Sequence, residues 1–568
     1  MLVDLKRSVS SPMASGETFN RRKFLAAAAA TAGAAAGGAL LGGPASATTA
    51  LRERSGAPVK RTLVYAAAGT PESYDLEQQD DGLVEQLASA CYGGDLTRNK
   101  IVHNSKYGVN VADVLGSGDT GILPGLAEAV DVNANETEFT FHLRTNAKSS
   151  WGNPLTADDV IYSVSRQLAL QSGGAFFDGI MGVTAAGTVK LDEHTVRFRL
   201  AKPSPLFLRI DAMKYFGGLF DSVAAKANAT TADPWSKKWL ATHTAGFDAY
   251  YAASIIQGRQ LVLKSNPGWY AGKPAYDRVV WSAIPSPETR LALLVRGEAD
   301  LVLDLTPEQV KSIGGLNGVS VSKYAGNGLQ CVELNVHWGP LRDARVRQAM
   351  AYALPYADIL SSVWLGTAEP LRSPVPPSFP GSGEQYWPYG DNGNIDKARK
   401  LMKEANQGPF TMSLTYDSTN TTDPLTAPII QLALSEIGIK VVLDPTTTAL
   451  NSDAANTMTA AKPAVMFEPH PYMADPAYCL WIYWYSKSGA NHNKFSNPAY
   501  DALVEAALVQ PDFKKRVNLS LAAQKIWLSQ MPYLLLATVP WNLAHRDNVG
   551  GEAWFPDGWV RFQNLTAS

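Results

Sequence analysis

The 568-residue sequence is 46% hydrophobic and 18% charged, which supplies cores for roughly three to four domains and excludes a disordered, collagenous or disulfide-framed chain. Its 50 basic and 52 acidic residues leave a formal charge of −2, with no basic excess to neutralise nucleic-acid phosphates. Three cysteines are too few for a framework, whereas 14 Trp and 22 Tyr are plentiful.

In chain order, Asn20-Arg21-Arg22-Lys23-Phe24-Leu25 stands before a stretch that carries no charge until Arg52 and is dominated by Ala and Gly. The stretch ends in Pro44-Ala45-Ser46-Ala47, an A-x-A cleavage pattern. Basic region, apolar region and small-residue site are the parts of a secretory signal, and the pair Arg21 and Arg22 points to the Tat route. A retained membrane anchor is the rival reading, because the uncharged run exceeds about 18 residues. Ala and Gly give little transfer energy per residue, which favours cleavage. Loss of residues 1–47 would leave 45 basic and 50 acidic residues, a charge of −5. Residues 48–59 read as a flexible segment.

Thr62-Leu-Val-Tyr-Ala-Ala is the first expected strand, and Glu138–Arg144 and Thr195–Leu200 alternate apolar and polar residues as half-buried strands do. Between them Thr156-Ala-Asp-Asp159 is a capping box that opens an amphipathic helix. Asp158 and Asp159 are therefore helix-terminal charges rather than a catalytic pair. Further helices are expected from Asp343, stopped by Pro355, and over Asp396–Ala405, Pro428–Ile437, Ala499–Val509 and Phe513–Met531, with a strand at Ile439–Leu443. Arg347 is expected to pair within its own helix. Helices alternating with strands indicate α/β layers with partly parallel sheets.

Chemistry-bearing motifs are sparse. Gly116-Ser-Gly118-Asp-Thr-Gly121 matches a dinucleotide fingerprint, but Leu123-Pro124-Gly125 follows where a helix is needed, so it reads as a surface turn. Phosphate-loop, zinc-protease, C-x-x-C and G-x-S-x-G patterns are lacking, and the eight histidines show no metal-ligand spacing. These readings leave no catalytic residue, no metal and no cofactor to assign, so the chain is not expected to be an enzyme. Cys91, Cys331 and Cys479 can hold one oxidised pair or three buried thiols. The unusual stretch is Phe467–Tyr485, where Pro469, Pro471 and Pro476 predict an irregular loop ahead of the cluster Trp481-Ile-Tyr-Trp-Tyr485. Such rings either line a ligand cleft or fill a core.

Several segments together carry a resemblance. Pro124-Gly-Leu-Ala-Glu-Ala-Val-Asp-Val132, Glu138–Arg144 and Pro154-Leu-Thr-Ala-Asp-Asp-Val-Ile-Tyr-Ser163 come first. Leu334-Asn335, Pro340-Leu-Arg-Asp343, Val346-Arg-Gln-Ala349 and Asn497-Pro-Ala-Tyr-Asp-Ala-Leu503 follow in the same order. In these the chain resembles the extracellular solute-binding proteins of ABC importers, family 5, the oligopeptide/dipeptide-binding type. The resemblance implies an α/β, two-lobed periplasmic-binding-protein-like fold of class II type, with an extra domain inserted in the first lobe. It places the first lobe at 60–85, 208–320 and 540–568, the inserted domain at 86–207 and the second lobe at 321–539.

What the resemblance implies for function is an exported monomer, periplasmic or extracellular. It would capture a peptide or similar small solute between its lobes and deliver it to a membrane permease with its ATPase. A sensor or chaperone on the same fold and an oligosaccharide binder are the alternatives; a secreted hydrolase lacks the residues. By position Tyr74, Asp80 and Gly82, Asn335, the loop residues Glu468, His470, Tyr472 and Asp475, the rings Trp481, Tyr483 and Trp484, and Trp541 at the second hinge face the ligand. The family's amine-binding aspartate falls here on Tyr472, with Glu468 or Asp475 as substitutes.

Overall fold

Ten strands form one mixed sheet: β1 (Thr62–Ala67), β2 (Tyr250–Ile256), β3 (Gln260–Ser265), β4 (Arg278–Ala283), β5 (Leu301–Val302), β6 (Val319–Leu334), β7 (Phe410–Asp417), β8 (Ile439–Thr446), β9 (Ala464–Phe467) and β10 (Tyr533–Arg546). The computed structural model describes residues 61–77, 82–92, 96–113, 121–211 and 218–567. Arg21, Arg22, Ala45 and Ala47 of the expected signal, Asp80 and the first two glycines of the 116–121 motif lie outside them.

Across the sheet the order is β2-β3-β4-β1-β5-β10-β6-β9-β7-β8. The two long strands β6 and β10 sit in the middle and pair antiparallel from Val319↔Arg546 to Glu333↔Tyr533. On one side β1 runs parallel to β4 and β5; on the other β7 runs parallel to β8 and β9. Only β6 and β10 belong to both sides, so any bend in them changes the angle between the two halves of the sheet.

A separate four-stranded antiparallel sheet is built from Ala127–Val132, Glu138–Leu143, Thr195–Arg199 and Thr188–Asp192. The expected period-two pattern is realised here. Phe139, Phe141 and Leu143 point inward while their neighbours stay partly exposed, and Phe139 stacks on Phe207 at 4.3 Å between ring centroids.

Helices that matter for the site are α1 (Gly82–Cys91), α2 (Ala157–Leu170), α3 (Gly173–Met181), α4 (Asp423–Ser435), α5 (Pro476–Trp484) and α6 (Phe513–Gln530). The Thr156–Asp159 capping box at the start of α2 forms as expected, with Asp159 accepting from the Thr156 backbone N–H at 2.8 Å. Two expectations need correction. α4 begins one turn before Pro428 and carries that proline on its exposed side. Residues 476–484 are helical rather than irregular, because Pro476 occupies the first helical position, where its missing N–H is no loss, and Asp475 caps the helix.

Trp281, Trp484, Trp527 and Trp554 are fully buried, so part of the aromatic surplus is core. Arg347 does not pair within its helix; its guanidinium donates to the backbone carbonyls of Leu341, Arg342, Gln530 and Met531. Cys91, Cys331 and Cys479 are buried and joined in no disulfide. Among the described residues no helix is long and apolar enough to cross a membrane.

Candidate ligand cleft

The ladder between β6 and β10 breaks register between Tyr324 and Gly328. Gly326 causes the break: its φ is +70°, and a Cβ there would stand 2.1 Å from the carbonyl oxygen of Val539. Pro540 opposite has no N–H to offer the ladder. Asn327 then ties the crossing down, its side-chain amide donating to the carbonyls of Pro471 at 2.7 Å and Pro556 at 2.6 Å.

Register shows where the strand ends go. Val302 at the end of β5 lies beside Ala544, and the chain runs on toward the break. Phe467 at the end of β9 lies beside Cys331, and Pro469 accepts from the Leu329 N–H as the chain approaches the break from the other side. β1 parallels β5 and β7 parallels β9, so the carboxyl ends of four strands, two from each half, converge on one place. In open α/β sheets this is where ligands bind. The residues delivered there are Asp304 after β5, Asp423 at the start of α4 after β7, and Glu468 and His470 after β9.

Glu468 and His470 keep 30% and 39% of their side-chain surface open. Burial nevertheless dominates both titrations, lifting the Glu468 carboxyl to about 8 and lowering the His470 imidazole to about 4. The charges of Asp423 and Asp304 raise Glu468 further. Asp423 is itself lifted to about 6, by burial first, against the pull of a hydrogen bond from Gln330. Asp304 is exposed and sits at φ +56°, and its carboxyl is raised by the surrounding protein first, with Arg290 opposing. At neutral pH Glu468 is therefore mostly protonated and His470 neutral, and their 2.7 Å contact is a neutral hydrogen bond rather than an ion pair. Gly328 makes room for the ring, since a Cβ there would stand 2.8 Å from His470 Nε2.

Aromatic contacts join α3 to α5. Phe176 of α3 meets Trp481 of α5 at 5.3 Å, and Phe177 meets Tyr478 at 6.1 Å. Elsewhere the Tyr107 hydroxyl donates to Glu369 at 2.6 Å and Lys106 pairs with the same carboxylate at 2.9 Å.

The structure sorts the expected site residues unevenly. Glu468, His470, Tyr483 and Trp541 are brought to the crossing; the Tyr483 hydroxyl donates to the His470 carbonyl at 2.7 Å and the Trp541 indole to Gly558 at 3.2 Å. Tyr472 and Trp481 are partly buried against the core near them. Gly82 opens α1 directly under Trp559, whose ring would lie 2.6 Å from an added Cβ, so the glycine serves close packing.

Four placements differ from expectation. Asp475 is fully buried, caps α5 and accepts from Arg516 Nε at 2.9 Å, which leaves it no room for a ligand amine. Trp484 is core, packed edge-on against Trp527 at 5.2 Å. Asn335 lies at the opposite end of β6 from the break, donating to Met458 at 2.7 Å. Tyr74 is 3% exposed and sits in the main core. Asp304 and Asp423 were missed by sequence reasoning. The available signal was an acid directly after an apolar strand, as in Asp300-Leu-Val-Leu-Asp304.

A separate hollow of about 310 Å³ is lined by Tyr356, Leu360 and Trp387 among others, and its charged pair, Arg372 and Asp391, is mutually satisfied. Among the described residues no group of three His, Cys, Asp or Glu is spaced to hold a metal ion.

Comparison with known proteins agrees with the geometry. The chain is 28% identical over 447 residues to a probable D,D-dipeptide-binding periplasmic protein of Escherichia coli, covering 77% of this chain and 83% of the relative. It is 27% identical over 525 residues to di/tripeptide-binding protein 2 of Pseudomonas aeruginosa, covering 87% and 93%. The fold matches the ABC transporter-associated periplasmic binding protein DppA of Helicobacter pylori, solved in complex with peptide STSA, with a TM-score of 0.75 at 24% identity over 91% of this chain and 99% of that one. The profile of the bacterial extracellular solute-binding proteins, family 5 Middle, matches residues 121–491, and the chain belongs to that family.

Proposed function

We propose that the chain is the extracytoplasmic receptor of an ABC importer, holding a peptide or similar small solute between two lobes and presenting it to a membrane permease. The observation that carries this reading is the convergence of four strand ends, two from each half of the sheet, on the break in β6 and β10. A solute bound there touches both halves, and it favours the closed form by its greater affinity for that form. The first lobe takes in residues 60–85, 208–320 and 540–568, the inserted domain 86–207 and the second lobe 321–539, with Gly326 and Pro540 at the joints. Export by the Tat route, with cleavage after Ala47, and action as a monomer complete the reading.

The test is mass spectrometry of solutes released on denaturing protein purified from its native host, with small-angle scattering before and after solute removal. A peptide or other small solute near one per chain, and expansion on its removal, are expected. Protein that releases nothing and is not stabilised by any member of a dipeptide library would refute the reading.

A further inference from the structure

We propose that the chain carries a second binding site, apart from the crossing, for a small organic anion. This is a carboxylate or phosphate ester whose oxygens take protons from Lys397, Lys525 and Tyr352 while its apolar body lies against tyrosine rings. The inference does not depend on what fills the crossing.

Four segments close around a hollow of about 420 Å³, a size at which proteins hold small molecules. The helix Ala344–Ala353 contributes Gln348 and Tyr352, and the helix Ile395–Glu404 contributes Lys397. α6 contributes Lys525 and Ser529 from its last turns, and the chain beside the short turn Glu384–Tyr386 contributes Tyr389. Rings make the wall: Tyr352 meets Tyr389 at 4.5 Å between centroids. Rings also hold the lysines, with Lys525 Nζ 4.2 Å from the centroid of Tyr386 and Lys397 Nζ 4.2 Å from that of Tyr352. A π face attracts an ammonium group without neutralising it. Among the described residues neither lysine pairs with a carboxylate, and no carboxylate lines the hollow. The acids nearest in sequence, Glu384 and Asp396, are not part of its lining.

The hydrogen bonds point the same way. An ammonium group has three protons and no lone pair. In the 2.5 Å contact between Lys397 and the Tyr352 hydroxyl the lysine therefore donates and the hydroxyl accepts. The hydroxyl's own proton is then left with no acceptor among the described residues, on a residue only 5% exposed. The acceptors around it are already engaged. The Leu528 carbonyl takes the Tyr389 hydroxyl at 2.8 Å, and the Ser529 carbonyl takes Gln348 Nε2 at 2.5 Å. The Ser529 hydroxyl donates to the Ile526 carbonyl at 2.6 Å.

The hollow thus presents two ammonium groups and one hydroxyl as donors and offers no carboxylate to meet them. Bonds from such donors to a carboxylate or phosphate oxygen are the short, strong kind, whereas an uncharged guest without acceptors leaves the Tyr352 proton unmet. Pro388, Leu401 and Leu528 complete an apolar lining for the rest of the guest.

The probes are phenyl phosphate and benzoate, with benzyl alcohol as their uncharged match, titrated into the exported full-length chain and followed by calorimetry and by saturation transfer in NMR. The anions are expected to bind with a Kd of about 1 mM or lower, more weakly as salt rises from about 20 to about 200 mM, and benzyl alcohol is expected to fail. Lys397→Met and Lys525→Met should each weaken the anions about 5-fold or more, and Tyr352→Phe, which keeps the ring and removes the proton, about 3-fold or more. Unliganded melting within a few degrees of the parent will show that the variants fold. No binding of either anion, equal binding of benzyl alcohol, or anion binding that all three variants leave intact overturns the proposal. A variant that also loses the solute released on denaturation would place the anion at the crossing and overturn it as well. The reading of the crossing is tested separately, by the solute that the parent releases.

Discussion

Gly326→Ala tests whether the crossing is a tight joint. The added Cβ would meet the Val539 oxygen at 2.1 Å and the Trp541 nitrogen at 3.0 Å, both backbone atoms, so no rotamer change relieves the overlap and β10 must shift by roughly 1 Å. Left-handed backbone alone costs an alanine roughly 1–2 kcal/mol. Losing one or two ladder hydrogen bonds beside the break adds about 1 kcal/mol each, for a total of about 2–4 kcal/mol. Gly366→Ala is the internal control, because Gly366 has φ +78° but nothing within 4 Å of its would-be Cβ. Urea unfolding should show Gly326→Ala losing at least about 1 kcal/mol more than Gly366→Ala. Calorimetry should show weakened solute binding for the first variant alone, since the lobes then meet at a changed angle. Equal losses with unchanged binding would refute the idea that Gly326 sets the geometry of the joint.

Asp475→Asn should cost about 3–5 kcal/mol by stranding Arg516, both side chains being 3% exposed or less, while leaving solute binding unaltered; weakened binding with an unchanged melting point would restore Asp475 as a ligand group. Stability should fall as pH rises between about 4.5 and 8, because fully buried Glu333 is lifted by burial to about 8 and keeps its proton in the folded chain over a range in which the unfolded chain loses it. The slope from this group is at most about 1.4 kcal/mol per pH unit; Glu333→Gln should flatten the curve of melting temperature against pH, and a parent that is equally stable at pH 5.5 and pH 8 would contradict the assignment. Arg21→Lys combined with Arg22→Lys should hold the protein in the cytoplasm, as read by fractionation, and continued export would exclude the Tat route.

Local features were legible where local physics decides them. The Thr156 capping box, the alternation at Glu138–Leu143 and the Asn497-Pro498 helix start each satisfy their own neighbours, and each is found as read. Pro476 misled because the same residue ends one helix and begins another, and only the preceding Asp475 cap distinguishes the cases. Asp304 was illegible for a different reason. Its place at the crossing depends on β5 and β9 lying on opposite flanks of the β6–β10 pair, a consequence of register between segments far apart in sequence.

The ring cluster at 481–485 shows how one correction reorganises the rest. The sequence alone leaves each ring of Trp481-Ile-Tyr-Trp-Tyr485 open between lining a cleft and filling a core. Once Pro476 starts a helix, the 3.6-residue turn assigns each ring a direction. Trp484 turns into the core with Trp527, whereas Trp481 and Tyr485, one turn apart, share a face and stack at 6.5 Å, with Phe176 against Trp481. Tyr483 turns to the crossing and fixes the His470 carbonyl.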